Sequence, residues 1–373
     1  FCTPGFIVSM VWYMMCADEE PNLDGFQRAI GGNLCRCTGY TSINRASEVL
    51  IEKFGEGGEW RDIWQADDRI DALAEAGMLP GYFVDSADQL AEIETPEPPD
   101  DELDVADFFV AGGTDIYVQE GEDLPGARVA VLNHFPHMEG VELDDGEFRV
   151  GALTSFEDFG QHPEIQRLIP NMDHHLFLIA SLHLRNRATL GGNIINASPI
   201  GDMTSLLLAL DSTLVLESED DERSVPMEEF FLGYKTMDRR EDELLTEIVF
   251  PDGDDATRIN FEKVSKRKAL DIATVCSGAR LRLEDDELVE ANVTMGGVAP
   301  VPYSLEETRD YLLGRSVDEQ TVEGAIDVAW QEISPISDVR GSAEYKRLLV
   351  RQLIIAHFTE TYPQRVRFDQ LAS

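Results

Sequence analysis

The chain has 373 residues, 43% hydrophobic and 27% charged, a composition that folds and that suggests about two or three domains. Acidic residues outnumber basic ones 72 to 30, for a formal charge of −42 at pH 7, and a repulsive field of that size excludes nucleic acid and anionic membranes as partners. No apolar run approaches the ~20 residues of a bilayer-spanning helix, and five cysteines are too few and too clustered for a secreted disulfide scaffold. The basic residues are 6 Lys and 24 Arg. Carboxylate excess with little lysine, spread over the whole chain, reads as the hydrated, salt-tolerant surface of a halophilic cytoplasmic protein. Runs such as Asp100-Asp101-Glu102 and Glu219-Asp220-Asp221-Glu222 read as loop tips.

In chain order, Thr3-Pro4 supplies an N-cap followed by proline at the first helical position. The run from Phe6 to Met15 is apolar nearly all round, which predicts a buried helix. A second helix is predicted over 42–54, with Ile43, Ala46, Leu50 and Phe54 on one face. Residues 55–80 read as a connection with one short helix over 71–76. From about 81 to 255 the signals alternate. Strands are predicted over 108–110, 128–132, 148–151 and 213–217, and helices from 154 with capping chemistry, over 176–184 and over 203–209. From 256 to 373, strands over 260–263, 277–283 and 289–296 precede helices over 304–313, 322–333 and 343–360. The fold class is therefore α+β and multidomain: a helical module over 1–55, a linker over 56–80, an α/β domain over 81–255 and a C-terminal α+β domain over 256–373, an antiparallel sheet with helices.

Three features carry chemistry. Cys35-Arg36-Cys37 lies on a turn that Thr38-Gly39 closes and can point both sulfurs at one metal centre; Cys2 precedes a helix whose positive end favours a thiolate. In a reducing cytosol such a trio reads as a metal site, whereas Cys16 and Cys276 read as ordinary buried thiols. Two Gly-Gly turns, at residues 111–115 and 189–193, each let backbone N–H groups converge on an anion such as a diphosphate. Neither matches G-x-G-x-x-G, and no Ser/His/Asp order, P-loop or H-E-x-x-H is present. His174, His175 and His183 lack a carboxylate or Cys at ligand spacing and read as surface or core residues, and Tyr234, beside Phe230 and Phe231, reads as core packing.

The ordered set Phe1-Cys2-Thr3-Pro4-Gly5, Gly32-Asn33-Leu34-Cys35-Arg36-Cys37-Thr38-Gly39-Tyr40, Ala111-Gly112-Gly113-Thr114-Asp115, Arg185-Asn186-Arg187-Ala188-Thr189-Leu190-Gly191-Gly192-Asn193 and Ser198-Pro199-Ile200-Gly201-Asp202 resembles the molybdenum hydroxylases (xanthine dehydrogenase family). The first two segments are similar to that family's helical [2Fe–2S] module and the others to its FAD-binding domain. The similarity runs on through Phe230–Tyr234 and residues 261–273 into the family's flavoprotein C-terminal domain. The resemblance implies Cys2, Cys35 and Cys37 as cluster ligands, with a fourth Cys and a plant-type ferredoxin module expected upstream of Phe1. It also implies that Phe109, Val110, Ala111, Gly112, Gly113, Thr114, Asp115 and Ile116 surround the FAD diphosphate. Thr189, Leu190, Gly191, Gly192 and Asn193 form a second FAD turn, Asp202 supplies a carboxylate, Ile179 and Leu245 are apolar flavin contacts, and Lys263 is a further contact for which Glu262 competes.

The activity implied is electron relay from a molybdopterin-containing large subunit through [2Fe–2S] to FAD and on to NAD, in a cytoplasmic hetero-oligomer. Alternatives are a family member acting on carbon monoxide, an aldehyde or an aromatic acyl thioester, or a cofactor-free assembly protein with the same fold.

Overall fold

A computed structural model describes residues 2–93, 106–267 and 270–371. The acidic run 100–102 lies outside the described residues. The chain divides into two compact units, residues 1–98 and 99–373.

The first unit is helical. Helix Thr3–Cys16 begins one residue earlier than expected: Thr3 is already helical, Pro4 lies in the first turn and Cys2 holds the cap position without a side-chain cap, which corrects the reading of Thr3 as the N-cap. Helix Leu23–Ile30 is capped by the Asn22 side chain accepting from Gly25 N at 2.8 Å, and helix Thr41–Phe54 follows. Only one side of the first helix is buried: Phe6, Met10, Tyr13 and Met14 pack with Phe26, Phe54 and Trp64, while Ile7, Val8 and Trp12 are exposed. The all-round burial read from its composition is thus corrected, because the other helices reach a single face. Cys16, read as buried, is exposed at the C-terminal end of this helix. Residues 56–80 contribute Trp64, Leu73 and Leu79 to the same core, through helices Arg61–Trp64 and Arg69–Glu75. The Arg69 guanidinium lies 4.4 Å from the Trp64 ring centre and donates to Ala17 O at 2.6 Å, which ties this stretch to the first helix.

Among the described residues the second unit holds two larger antiparallel sheets, one parallel strand pair and one two-stranded antiparallel hairpin, Phe231–Gly233 with Thr236–Met237. Strands Phe108–Val110 and Val129–Val131 pair in parallel. A five-stranded sheet runs in the order Val141–Asp144, Glu147–Gly151, Leu244–Pro251, Thr213–Glu217, Glu222–Pro226; of the acidic run 219–222, residues 219–221 lie in the hairpin turn and Glu222 opens the last strand, paired with Glu217. A four-stranded sheet follows: Thr257–Val264, Val275–Glu284, Glu287–Gly296, Tyr303–Ser304.

Alternation along strand Val275–Glu284 defines what the second sheet touches. Cys276 and Gly278 face helix Asp202–Ala209, and Ser277 faces helix Ala343–Thr361. Helix Asp202–Ala209 reads as apolar all round and is buried from Met203 onward. It lies so close to the sheet that a Cβ on Gly278 would sit 2.8 Å from Ser205 O, and one on Gly296 3.0 Å from Ser205 Oγ. Thr294 Oγ1 donates to Ser205 O at 2.7 Å across the same contact.

Candidate functional site

Strand Phe108–Val110 leads into a turn over 111–115 and then a one-turn helix, Ile116–Gln119. The backbone N–H groups of Gly112, Gly113, Thr114 and Asp115 have no hydrogen-bond partner among the described residues. Gly113 takes φ +77°, a region that a side chain disfavours. Gly112 packs against another backbone: a Cβ there would lie 1.5 Å from Arg187 O. Unpaired N–H groups gathered on a glycine turn form a nest for an anion.

The second Gly-Gly turn is built differently, and its reading as another nest is corrected. Leu190 N donates to Thr154 O at 3.0 Å, Gly191 N to Ala152 O at 2.7 Å, Gly192 N to Thr189 Oγ1 at 3.1 Å and Asn193 N to Thr189 O at 3.0 Å. These residues open helix Leu190–Ile195, which Thr189 caps, and neither glycine has a positive φ. Close approach explains Gly191, whose Cβ would meet Ala152 Cβ at 2.7 Å. The turn is a wall rather than a cradle of donors.

That wall and the nest bound a cleft of about 390 Å³, lined by Gly112, Thr154, Asp158, His162, Arg187 and Thr189 among others. Arg185, next to the lining residue Asn186, is held by three segments. Its guanidinium pairs with Glu157 at 2.6 Å and donates to Leu176 O and Ile179 O at 2.9 and 3.1 Å. The helix predicted over 176–184 is accordingly two pieces, Met172–Leu178 and Leu182–Arg185, broken where Ala180 takes φ +49°.

Asp202 and Lys263 meet at 2.5 Å, helix to strand, and both side chains are largely buried. Asp202 Oδ1 is buried with no hydrogen-bond partner. Burial pushes the Asp202 carboxyl up, against the pull of Lys263. Cys276, opposite Lys263 in the ladder, is a buried thiol pushed well up by burial and next by the Asp202 charge. Glu262 accepts from Asn260 instead, at 3.0 Å, so Lys263 is the residue that reaches the helix. Ile179 and Leu245 are buried in the core shared by these elements, and neither lines the cleft.

Sequence reasoning left three neighbours out of the site. Asn196 Oδ1 accepts from Gln119 at 3.1 Å and from Lys235 at 2.7 Å, which ties the helix after the nest to the helix after the wall. Lys235 sits on the hairpin Phe231–Gly233/Thr236–Met237 at φ +57°. The adjacent Tyr234, read as core, is 67% exposed at the hairpin tip, because Phe230 and Phe231 alone turn inward. A lysine or asparagine used through a single polar contact leaves no periodic signal to find.

In the first unit, Cys35 Sγ lies 3.1 Å from Thr38 Oγ1. Its thiol is held down to about 7 by the Thr38 hydroxyl first, then by the Thr38 and Cys37 N–H groups, with Cys2 also contributing. Asn33 donates to Ser9 Oγ at 2.8 Å, and Gly5 makes room, since a Cβ there would sit 2.3 Å from Asn33 Oδ1. The motif residues thus bring Cys35 to the start of the first helix, beside Cys2. Cys37 is exposed on the turn closed by Gly39 and Tyr40, both at positive φ, and no three metal-ligating groups converge among the described residues. Cys2 and Cys35 thus stand as a close pair, with Cys37 two residues further along the same turn. Its chemistry, thiols surrounded by hydrogen-bond donors, fits iron–sulfur ligation. The free N–H groups of the nest fit a diphosphate-bearing cofactor. No helix among the described residues is long and apolar enough to cross a membrane.

The family model for the FAD binding domain in molybdopterin dehydrogenase matches residues 102–253. The CO dehydrogenase flavoprotein C-terminal domain matches 261–361, and the [2Fe-2S] binding domain matches 1–48. The chain is 32% identical over 224 residues to the carbon monoxide dehydrogenase medium chain of Hydrogenophaga pseudoflava, covering 60% of this chain and 77% of that one. It is 24% identical over 408 residues to the xanthine dehydrogenase of Oryza sativa subsp. japonica, covering 89% of this chain and 29% of that one. The solved carbon monoxide dehydrogenase of Hydrogenophaga pseudoflava matches with a TM-score of 0.67 at 25% identity, over 72% of this chain and 96% of that one. The chain belongs to the molybdenum hydroxylase family. Within it, the chain is an oxidoreductase subunit whose cofactors are FAD and [2Fe–2S].

Proposed function

We propose that this subunit serves a xanthine dehydrogenase-like enzyme of the cytoplasm, taking electrons from a molybdopterin-containing large subunit and delivering them to NAD. Support comes from the order of its parts: iron–sulfur, FAD-binding and C-terminal flavoprotein segments follow one another on one chain. The rice xanthine dehydrogenase aligns along 89% of that order, whereas the medium chain of carbon monoxide dehydrogenase aligns along 60%. When bound, the cofactors supply the redox chemistry, single electrons at the cluster and a hydride at the flavin.

The chain's own residues bind and orient. Residues 109–116 hold the diphosphate through the free N–H groups of the nest, and residues 189–193 form the wall behind it. Asp202 and Lys263 supply the paired charges at the seam, Ile179 and Leu245 the apolar surface nearby, and Cys2 and Cys35, with Cys37, the thiolates. The 32% identity to the Hydrogenophaga chain favours a second reading, a carbon monoxide-oxidising enzyme. Anaerobic mixing of the flavin-loaded subunit with NADH distinguishes them at the acceptor end: rapid bleaching of the flavin band supports NAD, and no bleaching removes it. Assay of the assembled enzyme with xanthine and with carbon monoxide decides the substrate.

A further inference from the structure

Segment 334–341 lies on the outside of the second unit, with Ile336 72% and Val339 85% exposed, so little packing holds it. A buried lysine holds it instead. The Lys346 side chain is 2% exposed and donates to Asp338 Oδ2 at 2.7 Å. Lys346 ends the first turn of helix Ala343–Thr361, where the helix dipole repels a cation, and a buried ammonium is costly unless paired. Neither helix formation nor burial selects a lysine there, whereas the pair with Asp338 does.

What the pair fixes is a turn. Asp338 Oδ1 accepts from Arg340 N at 2.8 Å and from Gly341 N at 3.2 Å, and Asp338 N donates to Gly341 O at 3.0 Å. Two carbonyls of the turn meet the connection between strands Thr257–Val264 and Val275–Glu284. Lys266 Nζ donates to Val339 O at 3.0 Å, and Thr274 Oγ1 donates to Arg340 O at 3.5 Å, the longest link of the set. Gly341 lets the backbones close, since a Cβ there would sit 3.3 Å from Thr274 Cγ2. From Thr274 two paths lead to the buried charge pair. Thr274 N donates to Val264 O at 2.7 Å, one residue beyond Lys263. Thr274 O packs on Gly297, where φ is +88° and a Cβ would lie 2.7 Å away. Gly297 N donates in turn to Pro199 O at 2.7 Å, three residues before Asp202. Ser334 N, donating to Val298 O at 3.0 Å, anchors the other end of the segment beside that glycine.

We propose that Lys346 is a positioning residue for the flavin: by clasping Asp338 it sets the turn that steadies Lys263 from one side and Asp202 from the other. The inference rests on the reading of Asp202 and Lys263 as flavin contacts. Lys346 is hydrogen-bonded to neither member of that pair and acts through the turn. Without the clasp the Asp202–Lys263 pair keeps its charges and loses its fixed place, because the turn that braces Thr274 has no other buried tether among the described residues.

The full chain is prepared as the parent, Lys346→Met, Lys346→Arg, Thr274→Val and Asp202→Asn. Flavin is removed and FAD titrated back, with affinity read by flavin fluorescence and the flavin surroundings by circular dichroism in the visible flavin bands. Far-ultraviolet circular dichroism and melting temperature report folding. Lys346→Met is expected to bind FAD about tenfold more weakly and to change the visible flavin bands. Lys346→Arg, which keeps the pairing charge, is expected to stay close to the parent on both. Thr274→Val removes only the hydroxyl that meets the turn and is expected to change the same bands in the same direction by less. It carries the test if Lys346→Met does not fold. A lower melting temperature with parental FAD affinity and parental visible bands shows a purely structural clasp and overturns the inference. An arginine variant no better than the methionine one overturns it too. Parental affinity and bands in Asp202→Asn instead refute the reading of that pair as a flavin contact, a separate failure.

Discussion

Lys263 donates to Asp202 across 2.5 Å, joining strand Thr257–Val264 to the first residue of helix Asp202–Ala209. The lysine side chain is 2% exposed and the aspartate 14%, so each charge depends on the other for its compensation. Removing one partner of such a pair costs about 3–5 kcal/mol, since the survivor is left buried and unpaired, whereas replacing both by apolar groups is far milder. Lys263→Met is expected to lower unfolding free energy by that order, and the Lys263→Met/Asp202→Leu double variant to recover much of it. Urea titrations in a double-mutant cycle read the coupling; additive losses would show that the two charges act independently.

The glycines of the two turns are expected to respond unequally. Gly112→Ala drives a Cβ into Arg187 O, and Gly113→Ala combines φ +77° with a Tyr117 ring atom at 2.4 Å, so both should lose bound flavin on purification. Gly192 has no positive φ, and a Cβ there meets only Thr189 Oγ1, at 2.8 Å. Gly192→Ala should therefore keep most of its flavin, with a small loss of melting temperature from the disturbed cap. Flavin per chain, read beside circular dichroism, ranks the three.

Two buried histidines set the acid limit. Burial pushes His175 down to about 4 and His357 down to about 3, from an ordinary 6.5. The unfolded chain takes up these protons below pH 6.5 and the folded chain does not, so their contribution is complete above that pH and is lost as pH falls toward 4 and then 3. The expected slope is about 1.4 kcal/mol per pH unit for each histidine. His175→Leu should flatten the dependence of unfolding free energy between pH 6.5 and 4 relative to the parent. An identical slope in parent and variant would exclude the residue as a cause.

Most of the regular structure is legible in the sequence where a single period dominates. The apolar run from Met203 and the long pattern from Ala343 mark helices whose observed ends, Asp202–Ala209 and Ala343–Thr361, lie within a residue of expectation. The cleft is less legible. Its walls, residues 152–156 and 188–191, pair across more than thirty positions of sequence, and strand Leu244–Pro251 enters the first sheet between strands Glu147–Gly151 and Thr213–Glu217, far earlier in the chain. Helix Leu23–Ile30 escaped notice because it is eight residues long and carries Gly25, whose missing side chain admits the Tyr13 hydroxyl. The difference between the Gly-Gly turns is invisible locally, since it depends on whether distant carbonyls reach the N–H groups. The Cys35-Arg36-Cys37 spacing likewise says nothing about which sulfur faces Cys2.

A formal charge of −42 makes salt a structural variable. Dilution from 0.1 M to 0.01 M lengthens the screening distance from ~10 Å to ~30 Å and exposes carboxylates to one another across much of the surface. The halophilic reading leads us to expect a lower melting temperature and flavin loss in dilute buffer, both reversed by molar salt. Thermal scans from 0.01 to 2 M sodium chloride decide it; a flat profile would reject that reading.

The notch made by Gly278 and Gly296 has a consequence for how the second unit comes apart. Helix Asp202–Ala209 lies within the FAD-binding match and the strands it settles on lie within the C-terminal match, yet Leu206, Phe261 and Cys276 belong to one core. Neither half can expose its side of that contact without stripping the other of its packing. The two family segments are thus expected to melt in one transition, and a cut between them at residue 255 to yield two insoluble pieces in place of two working ones; two resolved transitions would show that the C-terminal segment's own core holds it alone.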